Sequence, residues 1–166
     1  TLFKDLKKQK LSNGEKLPTL EKYLKQGKKS KQVKLIVEIK PAKTPELEDE
    51  MVIKTLKMIR DKSLENQCEF ISFSLHLCKE IKRQNPKAIV QYLAGDLSPS
   101  DIKNAGIDGL DYHYSVFLDK HPDWILEAKK LGLITNVWTV NDEVIFKKLA
   151  DLGVGFVTTN VPDVLK

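Results

Sequence analysis

Lys34-Leu35-Ile36-Val37-Glu38-Ile39-Lys40 is the stretch on which the rest of the chain is read. A strand turns successive side chains to opposite faces, so Leu35, Val37 and Ile39 share one face and Ile36, Glu38 and Lys40 the other. The first is a packing face. The second sets a carboxylate and an ammonium one repeat apart near the strand's C-terminal end, with roughly 7 Å between their Cα atoms. Bare burial of either charge costs several kcal/mol. Glu38 and Lys40 therefore read in one of two ways: as a structural ion pair or solvated strand end, or as a site for a metal ion or an anionic ligand.

Working outward, the same kind of stretch recurs. Thr44-Pro45 gives a cap and a proline at the first helical position, and Glu46, Glu48, Asp49 and Glu50 sit where the helix dipole favours negative charge. Cys68-Glu69-Phe70-Ile71-Ser72-Phe73 reads as a buried strand, Leu75 to Gln84 as a helix that Asn85-Pro86 stops, and Ala88 to Leu93 as another strand. Ser98-Pro99-Ser100-Asp101 resembles a capping box. Strands over Gly109–Tyr114, Leu133–Thr139 and Val154–Thr159 alternate with helices over Pro122–Leu131 and from Asn141 to Leu152. Ahead of the central stretch, residues 1–17 read as a loop with a turn at Ser12-Asn13-Gly14, and a short helix opens after Pro18 with Thr19 as N-cap and Leu20, Tyr23 and Leu24 on one face.

Six strands separated by helices, with no hairpin dipeptide between neighbours, predict an α/β fold with parallel strands. No glycine-rich phosphate loop follows any strand, and polar groups recur at strand ends, as barrel sites require. The expected architecture is a (β/α)8 barrel of which about six units are present, rather than an open doubly wound sheet.

Composition bounds the rest. At 166 residues, 41% hydrophobic and 31% charged, the chain fits one globular domain spanning 1–166, with no apolar run long enough to cross a membrane. The sequence opens on Thr1, which leaves the natural N-terminus unread. The net charge of +5 is concentrated early in the chain, where eleven lysines fall from Lys4 to Lys34. Almost no aromatic residues accompany them for base stacking, so a solvated face is expected and no nucleic-acid partner. Cys68 and Cys78 lack zinc-site spacing and read as buried thiols.

Leu17-Pro18-Thr19-Leu20, Val37-Glu38-Ile39-Lys40, Ile71-Ser72-Phe73, Val137-Trp138-Thr139-Val140-Asn141 and Thr158-Thr159-Asn160-Val161-Pro162-Asp163, in this order across nearly the whole chain, resemble the glycerophosphodiester phosphodiesterase family. The resemblance implies a TIM barrel of the phospholipase C-like phosphodiesterase type. It implies a phosphoric diester hydrolase of lipid metabolism that releases glycerol 3-phosphate and an alcohol, with a small-molecule glycerophosphodiester as substrate and a divalent cation, Ca2+ or Mg2+, as cofactor. Glu38 matches the family's metal-binding carboxylate on this strand and Lys40 its phosphate-contacting lysine. Trp138 matches an aromatic lining the glycerol pocket, and Phe73 is expected beside it.

The family's His-Arg-Gly, Glu-x-Asp and His-Asp motifs do not occur in this sequence, and its histidines, His76, His113 and His121, match none of the catalytic positions. His113 alone, near a strand end, is a candidate to face the pocket. Asn160 stands where the family more usually has Asp and reads as a turn residue. The resemblance thus predicts the C-terminal part of such a barrel, inactive by itself. Its two exposed edges and open interior predict self-association. The rivals are a non-catalytic scaffold module that keeps Glu38 and Lys40 as an ion pair, and a relative of the phosphoinositide phospholipases.

Overall fold

Polar side chains at the ends of the βα loops start the helices. In the computed structural model, which describes residues 3–165, Thr44 Oγ1 accepts the Leu47 N–H and Ser74 Oγ that of Leu77. Ser98 forms a reciprocal box with Asp101, and Asp142 accepts the Ile145 N–H. Each cap satisfies an N–H that has no partner within its helix. The elements run α1 (Phe3–Leu6), α2 (Leu20–Gly27), β1 (Leu35–Glu38), α3 (Pro45–Arg60), β2 (Cys68–Ser72), α4 (Leu75–Gln84) and β3 (Val90–Tyr92). They continue with α5 (Pro99–Asn104), β4 (Gly109–His113), a π-helical turn (Val116–Lys120), α6 (Trp124–Lys130), β5 (Ile134–Trp138), α7 (Glu143–Asp151) and β6 (Phe156–Val157).

The six strands form one parallel sheet in chain order, β1 to β6. Leu35, Val37, Phe70, Val90, Leu110, Tyr112 and Val137 point to its outer face, where they join Val52, Leu56, Leu77, Ile81, Ile102, Ile125 and Leu149 of the helices in one core. Gly109 opens β4 because a Cβ there would meet Ile134 O at 2.5 Å, which would push the β4–β5 ladder apart. At the N-terminal edge of the sheet, Lys82 Nζ of α4 donates to Ala88 O and to both oxygens of Asp108, and Asp108 Oδ2 accepts the Val90 N–H. This partly buried cluster joins one helix to the starts of two strands.

The inner face is open toward its two edges. Ile36 and Phe156, on the two edge strands, are 45% and 60% exposed.

Several expectations are corrected. The strands are shorter than their apolar runs, β6 most of all, because only Phe156 and Val157 pair regularly with β5. Residues 3–17 contain the single turn α1 and a Lys10–Lys16 bridge across the expected turn, rather than loop alone, while Thr1, Leu2 and Lys166 lie outside the described residues. Tyr23 is 60% exposed; α2 is anchored by Leu24. Val116–Lys120 is a π turn closed by His121 N–H to Val116 O, so α6 begins at Trp124 rather than at Pro122. Adjacent buried Val116 and Phe117 carry no helical period by which that turn is recognisable.

Candidate active site

Alternation along each strand decides what reaches the inner face. Glu38 pairs with Ile71 across β1 and β2, Asp111 with Asn136 and His113 with Trp138 across β4 and β5. Glu38, Phe73, Leu93, Asp111, Trp138 and Thr158 converge on a cavity of about 240 Å³ at the C-terminal ends of the strands. Three of the four residues singled out by sequence, Glu38, Phe73 and Trp138, therefore share one pocket. Lys40 is exposed just beyond the end of β1, outside the cavity lining. Glu38 is exposed too, and no salt bridge joins it to Lys40 among the described residues. The structural ion pair is thus not formed, and neither charge carries a burial cost.

Trp138 is held from three sides. Its Nε1–H donates to Asp111 O at 2.9 Å, and its ring meets Phe73 edge-on with centroids 5.8 Å apart and His113 at 5.1 Å. Such edge-to-face contacts favour a fixed ring orientation. His113 is half-buried, and its Nδ1 accepts the Ser115 N–H at 3.4 Å and lies 2.8 Å from Ser115 Oγ. His76 instead pairs with Asp49 on exposed helix surface, and His121 stacks on Trp124. Asn160 makes a turn contact, its N–H donating to Asn141 Oδ1.

Two residues were not singled out. Asp111 is 2% exposed, and burial followed by the nearby Glu38 charge pushes its carboxyl up to about 7. The acid within the alternating run Gly109-Leu110-Asp111-Tyr112-His113 was its signal, the same signal that marked Glu38. Glu48, read as a helix-dipole acid, is buried. Its Oε1 accepts the Ala42 N–H and its Oε2 the Ser74 hydroxyl, tying the loop after Lys40 to the residue after Phe73. The ordinary thiol range is exceeded at Cys68 and Cys78, which burial pushes up to about 11 and about 12; they are inert core groups.

No group of three or more His, Cys, Asp and Glu side chains is gathered to hold a metal among the described residues. Glu38 and Asp111 form a pair of oxygen donors, the chemistry a hard cation takes. Both are on the cavity wall.

The model of the glycerophosphoryl diester phosphodiesterase family matches residues 2–164. The chain belongs to this family. Among solved structures, a glycerophosphodiester phosphodiesterase from Parabacteroides distasonis is 45% identical, with a TM-score of 0.95 over 98% of this chain and 68% of that one. A protein described as a glycerophosphoryl diester phosphodiesterase from Silicibacter pomeroyi is 27% identical, with a TM-score of 0.79 over 88% of this chain and 54% of that one. An Oleispira antarctica phosphodiesterase in complex with its product sn-glycerol-3-phosphate shares the fold at 20% identity, with a TM-score of 0.79 over 98% and 68%. No curated protein sequence matches the chain. The six parallel strands are thus an incomplete TIM barrel of the glycerophosphodiester phosphodiesterase type. Among the described residues no helix is long and apolar enough to cross a membrane.

Proposed function

We propose that this chain carries part of the site of a metal-dependent phosphodiesterase that hydrolyses glycerophosphodiesters to glycerol 3-phosphate and an alcohol. The observation that supports this most is the convergence of Glu38, Phe73 and Trp138 on one cavity, within a chain belonging to this family. The product carried by the Oleispira antarctica relative favours a small glycerol phosphate as the molecule recognised. The family match favours the deacylated diester over intact phosphoinositide lipid.

In this reading Glu38 is an oxygen ligand for Ca2+ or Mg2+. When bound, the cation would supply positive charge to oppose the negative charge developing on the phosphoryl oxygens. Lys40, solvated until substrate arrives, meets the phosphate as its counter-charge. Trp138 and Phe73 pack on the carbon side of the glycerol, and Trp138 is kept in place by its bond to Asp111 O.

In protein made from its full natural reading frame, release of glycerol 3-phosphate from glycerophosphocholine is expected to require added Ca2+ or Mg2+. Glu38→Gln is expected to lower kcat about 100-fold, the order lost with one charge-stabilising group. Cation-independent turnover, or full activity in Glu38→Gln, would overturn the reading. These 166 residues alone are expected to release none, since no histidine here matches a catalytic position.

A non-catalytic binding role is the second reading, favoured by the absence of a three-residue metal cluster among the described residues. It predicts retained binding of glycerol 3-phosphate with no turnover even in the full-frame protein. Under either reading the open inner face, with Ile36 and Phe156 exposed, favours self-association of the isolated chain. Sedimentation velocity is expected to show mass rising with concentration; a monomer at every concentration would contradict it.

A further inference from the structure

Among the described residues, three buried side-chain atoms lack a hydrogen-bond partner: Gln91 Oε1, Asp111 Oδ1 and Asn136 Oδ1. All three are oxygens, and strand parity puts all three on the inner face. Only Asp111 of the three also lines the cavity that Glu38 lines. Buried acceptors of this kind call for a donor or a cation. The two candidates differ in what they leave behind. A water or a substrate hydroxyl would satisfy Oδ1 yet leave two carboxylates facing a cavity whose other walls include Phe73, Leu93 and Trp138. No Lys, Arg or His lies within salt-bridge distance of either carboxylate among the described residues. A hard divalent cation answers both needs, because it takes carboxylate oxygens and compensates the charge of buried Asp111.

We propose that Asp111 is itself a cation-binding residue, forming with Glu38 a two-carboxylate site that links β4 to β1. This rests on the reading of Glu38 as a ligand. Asp111 supplies the buried donor at the base of the cavity and Glu38 the exposed one. Two protein carboxylates leave further coordination positions to water and substrate oxygens, the manner in which Mg2+ is commonly held.

The probe is Tb3+, an oxygen-seeking stand-in for Ca2+ whose emission is sensitised by a nearby indole, here Trp138 on the same cavity. Protein made from its full natural reading frame, its Glu38→Gln and Asp111→Asn variants and a second substitution, Asp111→Ser, are titrated with Tb3+ and back-titrated with Ca2+, with circular dichroism reporting the fold. The expected result is Ca2+-reversible emission from the wild type and an apparent Kd at least tenfold weaker in each folded variant. Wild-type affinity in a folded Asp111 variant, with loss in Glu38→Gln, overturns the role of Asp111 and leaves the reading of Glu38 standing. Wild-type affinity in Glu38→Gln, or no binding by the wild type, overturns both.

Discussion

Asp111→Asn is expected to raise the stability of the cation-free chain at pH 8 by about 2–4 kcal/mol and to change it little below pH 4. The folded-state carboxyl titrates at about 7 because it is buried and faces the Glu38 charge, whereas an unfolded aspartate titrates near 3.9. Between those values the folded chain holds a proton that the unfolded chain has released, so wild-type stability falls as pH rises through the window. Above about 7 the folded chain bears the full cost of a buried charge. Asparagine approximates the shape of the protonated acid and does not ionise. Urea denaturation of both proteins in EDTA at pH 4, 6 and 8 tests this through their difference, which cancels the titration of other groups. Parallel profiles for the two proteins would show that Asp111 is an ordinary carboxylate.

Tyr112→Ala is expected to cost about 3–5 kcal/mol, and Tyr112→Phe about 1 kcal/mol. The ring is fully buried on the outer face of β4. It stacks on Phe117 with centroids 5.8 Å apart and lies 6.3 Å from both Tyr92 and Trp124. Its hydroxyl donates to Leu97 O at 2.9 Å. Truncation leaves a cavity among three aromatic partners and the strand, while loss of the hydroxyl removes a single hydrogen bond. Against a domain stability of order 5–15 kcal/mol, the alanine variant unfolds at much lower urea. Tyr112 also stands between Asp111 and His113, so partial survivors are expected to lose cation-dependent Trp138 emission as β4 shifts. Equal losses in the two variants would assign the effect to the hydroxyl rather than the ring.

Period-two alternation is enough to put Glu38 on the cavity side of β1, and alternating strands and helices are enough to predict the parallel sheet. Asp111 has the same local pattern, but polar groups at alternate positions of a lone strand also describe a wet face. Its burial comes with the place of β4 between β3 and β5 inside the sheet, which local sequence does not encode. Glu48 was legible as an acid in a first helical turn, and it is one. Its bonds to Ala42 and Ser74 span two β/α units and depend on how those units dock. The contrast between Tyr23 and Leu24 has the same origin: both are apolar at helical spacing, and only packing against the rest of the fold decides which is covered. Lys40 is expected from alternation on the face of β1 that carries Glu38, yet the strand ends at Glu38, and the side chain lies outside the cavity lining.

The Lys82–Asp108 cluster sits just ahead of β4 and Asp111 at the middle of that strand, three positions further on. The base of the sheet is thus fastened independently of the residues at its mouth. Under the proposed phosphodiesterase reading, a library confined to the loops after β1, β2 and β5 of the full-frame protein can therefore sample new leaving-group preferences while the foundation stays untouched. Such variants should differ in what they accept far more than in how they withstand heat.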